Sequence, residues 1–232
     1  TDSDNISLLF GYGNGNFADS ITCSIDSRPI SVAVGDLNND NRSDLVVSYL
    51  QTTRIDVLLG YGNGSFAYPI KYAIDSISVC VVMADFNNDN CLDVAVAAYN
   101  TSYMYVFSGY GNGSLSTPQK FRTDATPVFL MVVDFDYDTH LDLVVANYEA
   151  NTVGIFIGYG NGSFEEQITY SVDRRPWALT VGDLNNDDRL DIVAATLGFS
   201  TITILFGDED GSFINKTIIP VGDIPESVGI GD

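Results

Sequence analysis

The stretch Asp36-Leu37-Asn38-Asn39-Asp40-Asn41-Arg42-Ser43-Asp44 places side-chain oxygens at its first, third, fifth and ninth positions, on Asp36, Asn38, Asp40 and Asp44. Oxygens on alternate residues of a tight loop converge on one point, and the seventh position adds a backbone carbonyl, here that of Arg42. The arrangement returns every 49 residues without insertion or deletion. The second copy has Asp85, Asn87, Asp89 and Asp93 with the carbonyl of Cys91; the third has Asp134, Asp136, Asp138 and Asp142 with that of His140; the fourth has Asp183, Asn185, Asp187 and Asp191 with that of Arg189. A fifth copy begins at Asp232, the final residue.

A solvated Asn/Asp turn accounts for one such loop, because both side chains cap turns. Four at constant spacing require a ligand, and hard oxygen donors with no His or Cys side chain select Ca²⁺ over zinc or copper. About four ions are expected. Around each loop the same period carries a second block, Gly11-Tyr12-Gly13-Asn14-Gly15, which recurs at Gly60, Gly109 and Gly158 and, as Gly-Asp-Glu-Asp-Gly, at Gly207. Self-similarity over the whole chain makes each 49-residue unit one supersecondary element.

Within a unit the apolar residues alternate with period two in short runs, the mark of strands. Four are expected: Ile30 to Gly35, Leu45 to Tyr49, Ile55 to Leu59 and Phe66 to Ile74. In the first, Ile30, Val32 and Val34 share one face and the small Ser31, Ala33 and Gly35 the other, which lets several copies crowd around an axis. Pro29, Pro127, Pro176 and Pro225 precede these first strands, where proline is tolerated. The expected fold is all-β, a β-propeller of about five four-stranded blades forming a single domain over residues 1–232. One blade is composite and incomplete: residues 5–25 supply its third and fourth strands, Ser227 to Gly231 its first, and its second is missing. Such a blade leaves two edges unpaired, so the expectation is either that the chain is a piece of a longer repeat array, or that another copy donates a strand to the gap and self-association builds a head-to-tail filament.

These residues resemble the FG-GAP repeat family, the calcium-binding blades of integrin α-subunit propellers and of many secreted proteins, and in particular its shorter VCBS-type repeats. The resemblance rests on the Asp-x-Asn-x-Asp-x-x-x-Asp loop and on a Phe-Gly element present literally at Phe10-Gly11 and Phe206-Gly207; elsewhere the pair is Leu59-Gly60, Ser108-Gly109 and Ile157-Gly158, and the Gly-Ala-Pro element is absent. The family's usual glycine at loop position six is replaced by Asn41, Asn90, Thr139 and Asp188. Asn and Asp accept a positive φ there, whereas Thr139 is not expected to. The extra carboxylate of Asp136 compensates electrostatically.

The chain of 232 residues carries 31 acidic against 10 basic side chains, a net charge of −21. That charge repels phosphate backbones and anionic lipid, which removes nucleic-acid and membrane-surface functions, and no apolar run approaches a bilayer span. Asn-x-Ser/Thr occurs at Asn5, Asn41, Asn63, Asn100, Asn112, Asn161 and Asn215. Three of these occupy the same place in the glycine turn, and together with the need for calcium they point to N-glycosylation and secretion. Cys23, Cys80 and Cys91 fall at three different repeat positions, so buried thiols or at most one bridge are expected. Trp177 replaces an aliphatic residue on a first strand and reads as core.

One histidine and no nucleophile constellation argue against an enzyme. The sequence reads as an extracellular calcium-binding, N-glycosylated structural or adhesive scaffold, its partners further copies of itself or extracellular protein and glycan ligands. The alternative is a calcium-dependent lectin, for which the repeated Tyr12, Tyr61, Tyr110 and Tyr159 would supply exposed aromatics.

Overall fold

A computed structural model describes residues 4–25, 28–208 and 211–231. Eighteen strands and no helix are found among them, in the order β1 (Asn5–Leu8), β2 (Ile21–Ser24), β3 (Pro29–Gly35), β4 (Asp44–Tyr49), β5 (Arg54–Leu58), β6 (Ile70–Ala73), β7 (Ser78–Ala84), β8 (Asp93–Ala98), β9 (Tyr103–Phe107), β10 (Gln119–Arg122), β11 (Pro127–Val133), β12 (Asp142–Asn147), β13 (Thr152–Phe156), β14 (Ile168–Ser171), β15 (Pro176–Gly182), β16 (Asp191–Thr196), β17 (Thr201–Gly207) and β18 (Phe213–Pro220). They form four antiparallel sheets of four consecutive strands each and a fifth of β1 and β2 alone. These are the blades of a propeller. Their first strands, β3, β7, β11 and β15, pack side by side in chain order.

The second strand of every complete blade is buried along its whole length. It sits between two hydrogen-bonded neighbours, and the adjoining blades cover both its faces, so only Val, Leu, Ile, Ala and a few partnered polar residues fit. The core therefore lies between blades. One cluster joins Ile6 and Ile25 to Leu45, Val47 and Leu58; another joins Leu37, Val46 and Val57 to Val81, Val94 and Val96; the largest runs from Ala95 and Val106 through Leu143 and Ile155 to Ile192 and Leu205. The small face of the first strands is required for this approach: a Cβ on Gly35 would stand 2.5 Å from Leu92 Cδ1.

Two expectations are corrected. The fourth strand is shorter than Phe66 to Ile74, since Phe66 makes only an isolated bridge to Gly60 and strand pairing resumes at Ile70, past Pro69, which has no N–H to donate. Among the described residues Ser227 to Gly231 form no strand, and β1 and β2 pair only with each other, so the sheet expected to combine the N-terminal strands with this segment is not found. Asp232 lies outside the described residues.

Candidate metal centre

Each first strand ends just before position one of the loop and each second strand begins with the Asp at position nine, so eight residues must reverse the chain between fixed ends. They do so by turning the side-chain oxygens inward onto their own backbone. Oδ2 at position one accepts from the N–H at position six in all four loops: Asn41 to Asp36 at 2.6 Å, Asn90 to Asp85 at 2.8 Å, Thr139 to Asp134 at 3.0 Å and Asp188 to Asp183 at 2.9 Å. Asn38, Asn87, Asp136 and Asn185 at position three each accept from the N–H at position five. Asp40, Asp89, Asp138 and Asp187 at position five accept from the N–H groups of Arg42, Cys91, His140 and Arg189. The oxygens at positions one, three and five are thereby turned onto the N–H groups of their own loop.

Two left-handed residues make this path possible. Position six has φ between 61° and 74° in every loop, Thr139 included at 74°, contrary to the expectation for a β-branched residue. Position four is left-handed as well, at Asn39, Asn88, Tyr137 and Asn186, with φ of 57° to 59°. The sequence reading did not single out position four, although Asn in three of the four copies was a usable signal.

Position nine has a second role that the spacing did not reveal. Asp44, Asp93, Asp142 and Asp191 are fully buried at the start of the second strand. One oxygen of each accepts from the N–H at position two (Leu37, Phe86, Phe135 and Leu184, 2.8 to 3.0 Å), the other from the glycine that opens the turn after the third strand (Gly60, Gly109, Gly158 and Gly207, 2.7 to 3.0 Å). The glycine is demanded by close approach, since a Cβ on Gly60 or Gly109 would stand 2.2 or 2.1 Å from a backbone carbonyl oxygen. Position nine is therefore a brace between loop and turn as well as a candidate ligand. Burial pushes the Asp93 and Asp142 carboxyls up to about 6, against the opposing pull of these two N–H bonds.

The third loop differs from the other three. Asp134, Asp136 and Asp138 each bring a carboxylate oxygen within 4.8 Å of the others, the one such triad of acidic, His or Cys residues among those described. In the other loops Oδ1 of position one accepts from the N–H at position five (Asp40, Asp89 and Asp187). In the third loop Asp138 N–H bonds Asp136 only, and Asp134 Oδ1 is buried with no partner. An ionised oxygen without water or a donor is costly, and a cation among three carboxylates is the group that would satisfy it. The N–H of His140, and then its ring, 2.8 Å away, hold the Asp138 carboxyl below its ordinary value; the Arg189 guanidinium does the same for Asp187.

The remaining candidates are placed as follows. Asn63, Asn112 and Asn161 lie exposed in their turns, each Oδ1 accepting from the N–H and hydroxyl of the Ser two residues on. Asn41, Asn100 and Asn215 are also exposed, whereas Asn5 is half-buried in β1. Tyr12, Tyr61, Tyr110 and Tyr159 are all more than half exposed. Cys80 is buried, Cys23 and Cys91 are half-buried, and all three are free thiols. Trp177 packs edge-on against Tyr148 at 5.8 Å beside the core.

The FG-GAP-like repeat model matches residues 1–47, 85–145 and 134–194. The chain belongs to this family. Solved structures similar to this FG-GAP-like chain include BBS1N in complex with ARL6DN (17% identity, 97% of this chain and 64% of that one, TM-score 0.62), a functionally unknown protein from Desulfotomaculum acetoxidans (14%, 92% and 63%, TM-score 0.65) and an Agrocybe aegerita lectin that recognises non-reducing terminal N-acetylglucosamine (13%, 93% and 60%, TM-score 0.62). At these identities the likeness is one of fold. The chain spans about three fifths of the length of these structures. A comparison with curated proteins found no match.

Proposed function

We propose that this FG-GAP-like chain is a non-enzymatic, calcium-stabilised scaffold that acts outside the cell. The observation that carries the reading is the buried, unpartnered Asp134 Oδ1 inside a triad of carboxylates, on a loop path that three further copies repeat. In each loop the side chains at positions one, three, five and nine, with the carbonyl at position seven, would hold one Ca²⁺; the ion would supply charge neutralisation and rigidity, and no reaction. Secretion and N-glycosylation at Asn63, Asn112 and Asn161 are supported by the exposure of the three equivalent turns. Elemental analysis of protein dialysed against calcium, together with melting in calcium and in chelator, tests the reading. About four Ca²⁺ per chain and a large loss of Tm in chelator are expected; absence of bound calcium with an unchanged melt overturns it.

A second reading, a calcium-dependent lectin, is favoured by the row of exposed tyrosines Tyr12, Tyr61, Tyr110 and Tyr159. The similar Agrocybe aegerita protein recognises N-acetylglucosamine. A glycan array in calcium decides between the two: selective binding lost on changing Tyr110 and Tyr159 to Ala supports the lectin, and silence supports the scaffold.

A further inference from the structure

Although 31 acidic side chains face 10 basic ones, Arg122, Arg174 and Arg175 make no ion pair among the described residues. Arg174 lies 5.3 Å over the Phe199 ring and Arg175 5.4 Å over that of Tyr148. Arg122, exposed at the end of β10, has neither carboxylate nor ring among the described residues. Its guanidinium is a fork of five N–H donors with nothing to hold.

The repeat shows how the partner was lost. In the first blade Arg54 pairs with Asp56 at 2.8 Å, and Asp56 stands opposite Lys71 across β5 and β6. In the second blade the same places hold Tyr103 and Tyr105, opposite Arg122 and Lys120. The strand acid is gone. Lys120 turns to Asp75 and lies 5.5 Å over the Tyr105 ring, which leaves Arg122 alone beside Tyr103. Residues two apart on a strand share a face, so both cations and both tyrosines stand on one side of the sheet. The third blade has Thr152 and Gly154 opposite Ser171 and Thr169, so this arrangement belongs to the second blade and not to the framework. That blade has a complete blade on either side.

Arg122, Tyr103 and Lys120 line a cleft of about 710 Å³ whose far wall is the hairpin from Asn100 to Ser102. Tyr103 is 41% exposed. The Asn100 amide, the Ser102 hydroxyl and the Tyr103 hydroxyl make no hydrogen bond among the described residues. Each can both donate and accept, which is what neighbouring hydroxyls on a ligand require, and an exposed ring offers a flat apolar face beside them. A net charge of −21 repels a polyanion, so the one unpaired guanidinium suits a ligand with one acidic group on an otherwise neutral, hydroxylated body.

We infer that this cleft binds an oligosaccharide ending in one acidic sugar, with its carboxylate or sulfate on Arg122 and its ring against Tyr103. The inference deepens the second reading above and rests on it for the class of ligand, but it moves the site from the tyrosine turns to the outer strands of the second blade.

The test is calorimetric titration of the full chain in calcium with four probes: trisaccharides ending in glucuronate, in sulfated N-acetylglucosamine and in neutral N-acetylglucosamine, and a short acidic peptide. Binding of one or both acidic sugars and of neither other probe is expected, and the two acidic arms tell carboxylate from sulfate. Arg122→Ala should weaken it about tenfold or more, and Arg122→Lys by less, since the charge is kept and the fork is lost. Tyr103→Ala should weaken it too, whereas Tyr110→Ala and Tyr159→Ala should not. All these positions are exposed, so melting should match the parent protein. Sugar binding that survives Arg122→Ala, or a neutral sugar held as tightly as an acidic one, overturns the inference and leaves the lectin reading standing. Failure of every sugar to bind, whether or not the peptide does, overturns both.

Discussion

The second and third loops follow the same backbone path with different means. Asp85-Phe86-Asn87-Asn88-Asp89-Asn90 puts Asn at both left-handed positions, and both oxygens of Asp85 are bonded to N–H groups. Asp134-Phe135-Asp136-Tyr137-Asp138-Thr139 puts Tyr and Thr at those positions, adds a carboxylate, and leaves one oxygen of Asp134 bare. Left-handed backbone at a residue other than Gly, Asn or Asp costs about 1 kcal/mol or more. The third loop keeps its shape because its ends are fixed from outside: Asp142 braces it to Phe135 and Gly158 as Asp93 braces the second loop to Phe86 and Gly109. The brace sets the path, and the loop residues set how much the path depends on a cation.

The largest expected effect is removal of calcium from all loops at once. Four ions, each stabilising by about 2.7 kcal/mol at a hundredfold excess over Kd, correspond to roughly 20 °C or more of Tm for a chain of this size. Calorimetry with and without chelator measures it. The sharpest contrast comes next. In chelator, Asp134→Asn, with the amide oxygen kept on the Thr139 N–H, replaces the bare Oδ1 and should raise stability by about 1 kcal/mol, whereas Asp85→Asn removes an oxygen bonded to an N–H and should lower it; in calcium both should lose one ion and fall. If the two variants shift together in chelator, the difference drawn between the loops is wrong.

The fold was legible in the sequence because the 49-residue period survives without a gap, and three strands of each blade stand within a residue of where alternation puts them. The fourth, read from Phe66 to Ile74, was overextended in that blade because the pattern cannot register that Pro69 lacks a donor, whereas in the last complete blade β18 runs unbroken from Phe213 to Pro220. Within the site, positions one, three and five were readable from spacing alone. The brace at position nine was not, since a buried Asp bonded to two N–H groups and an Asp ligating a metal leave the same letter. Its signal was there all the same: Asp44 opens a strand otherwise wholly buried, where only a partnered carboxylate can stay.

A smaller effect tests the brace itself. With Asp93 and Asp142 pushed up to about 6 by burial, the metal-free folded chain binds more protons than the unfolded chain between about pH 4 and 6. Their destabilising contribution is full above pH 6 and fades as pH falls through that window. Metal-free protein should therefore gain Tm from pH 7 to pH 5, and calcium-loaded protein should lose it as protons compete for the carboxylates; a parallel response of the two forms counts against the assignment. Smallest is Thr139→Asn, which should relieve strain and add about 1 kcal/mol, or a few degrees of Tm, while Asn90→Thr should subtract as much. Equal and negligible shifts would show that position six is not where the loops differ.

The glycine-turn bonds also have a mechanical meaning. Gly113 N–H donates to Leu37 O and Gly162 N–H to Phe86 O, so each of these loops holds the turn of the following blade, and Asp93 or Asp142 ties that turn to its own loop. Loop, turn and loop form links in series along one face of the molecule. After the third loop no equivalent backbone bond is found among the described residues: Gly211 N–H bonds Asp208 within its own turn, and the Tyr137 hydroxyl on Asp188 O joins the third loop to the fourth. Under a pull applied along that face, the junction of the third and fourth blades is carried by side chains, among them Phe135 on Phe213 and Tyr137 on Asp188, in place of the turn-to-loop backbone bond.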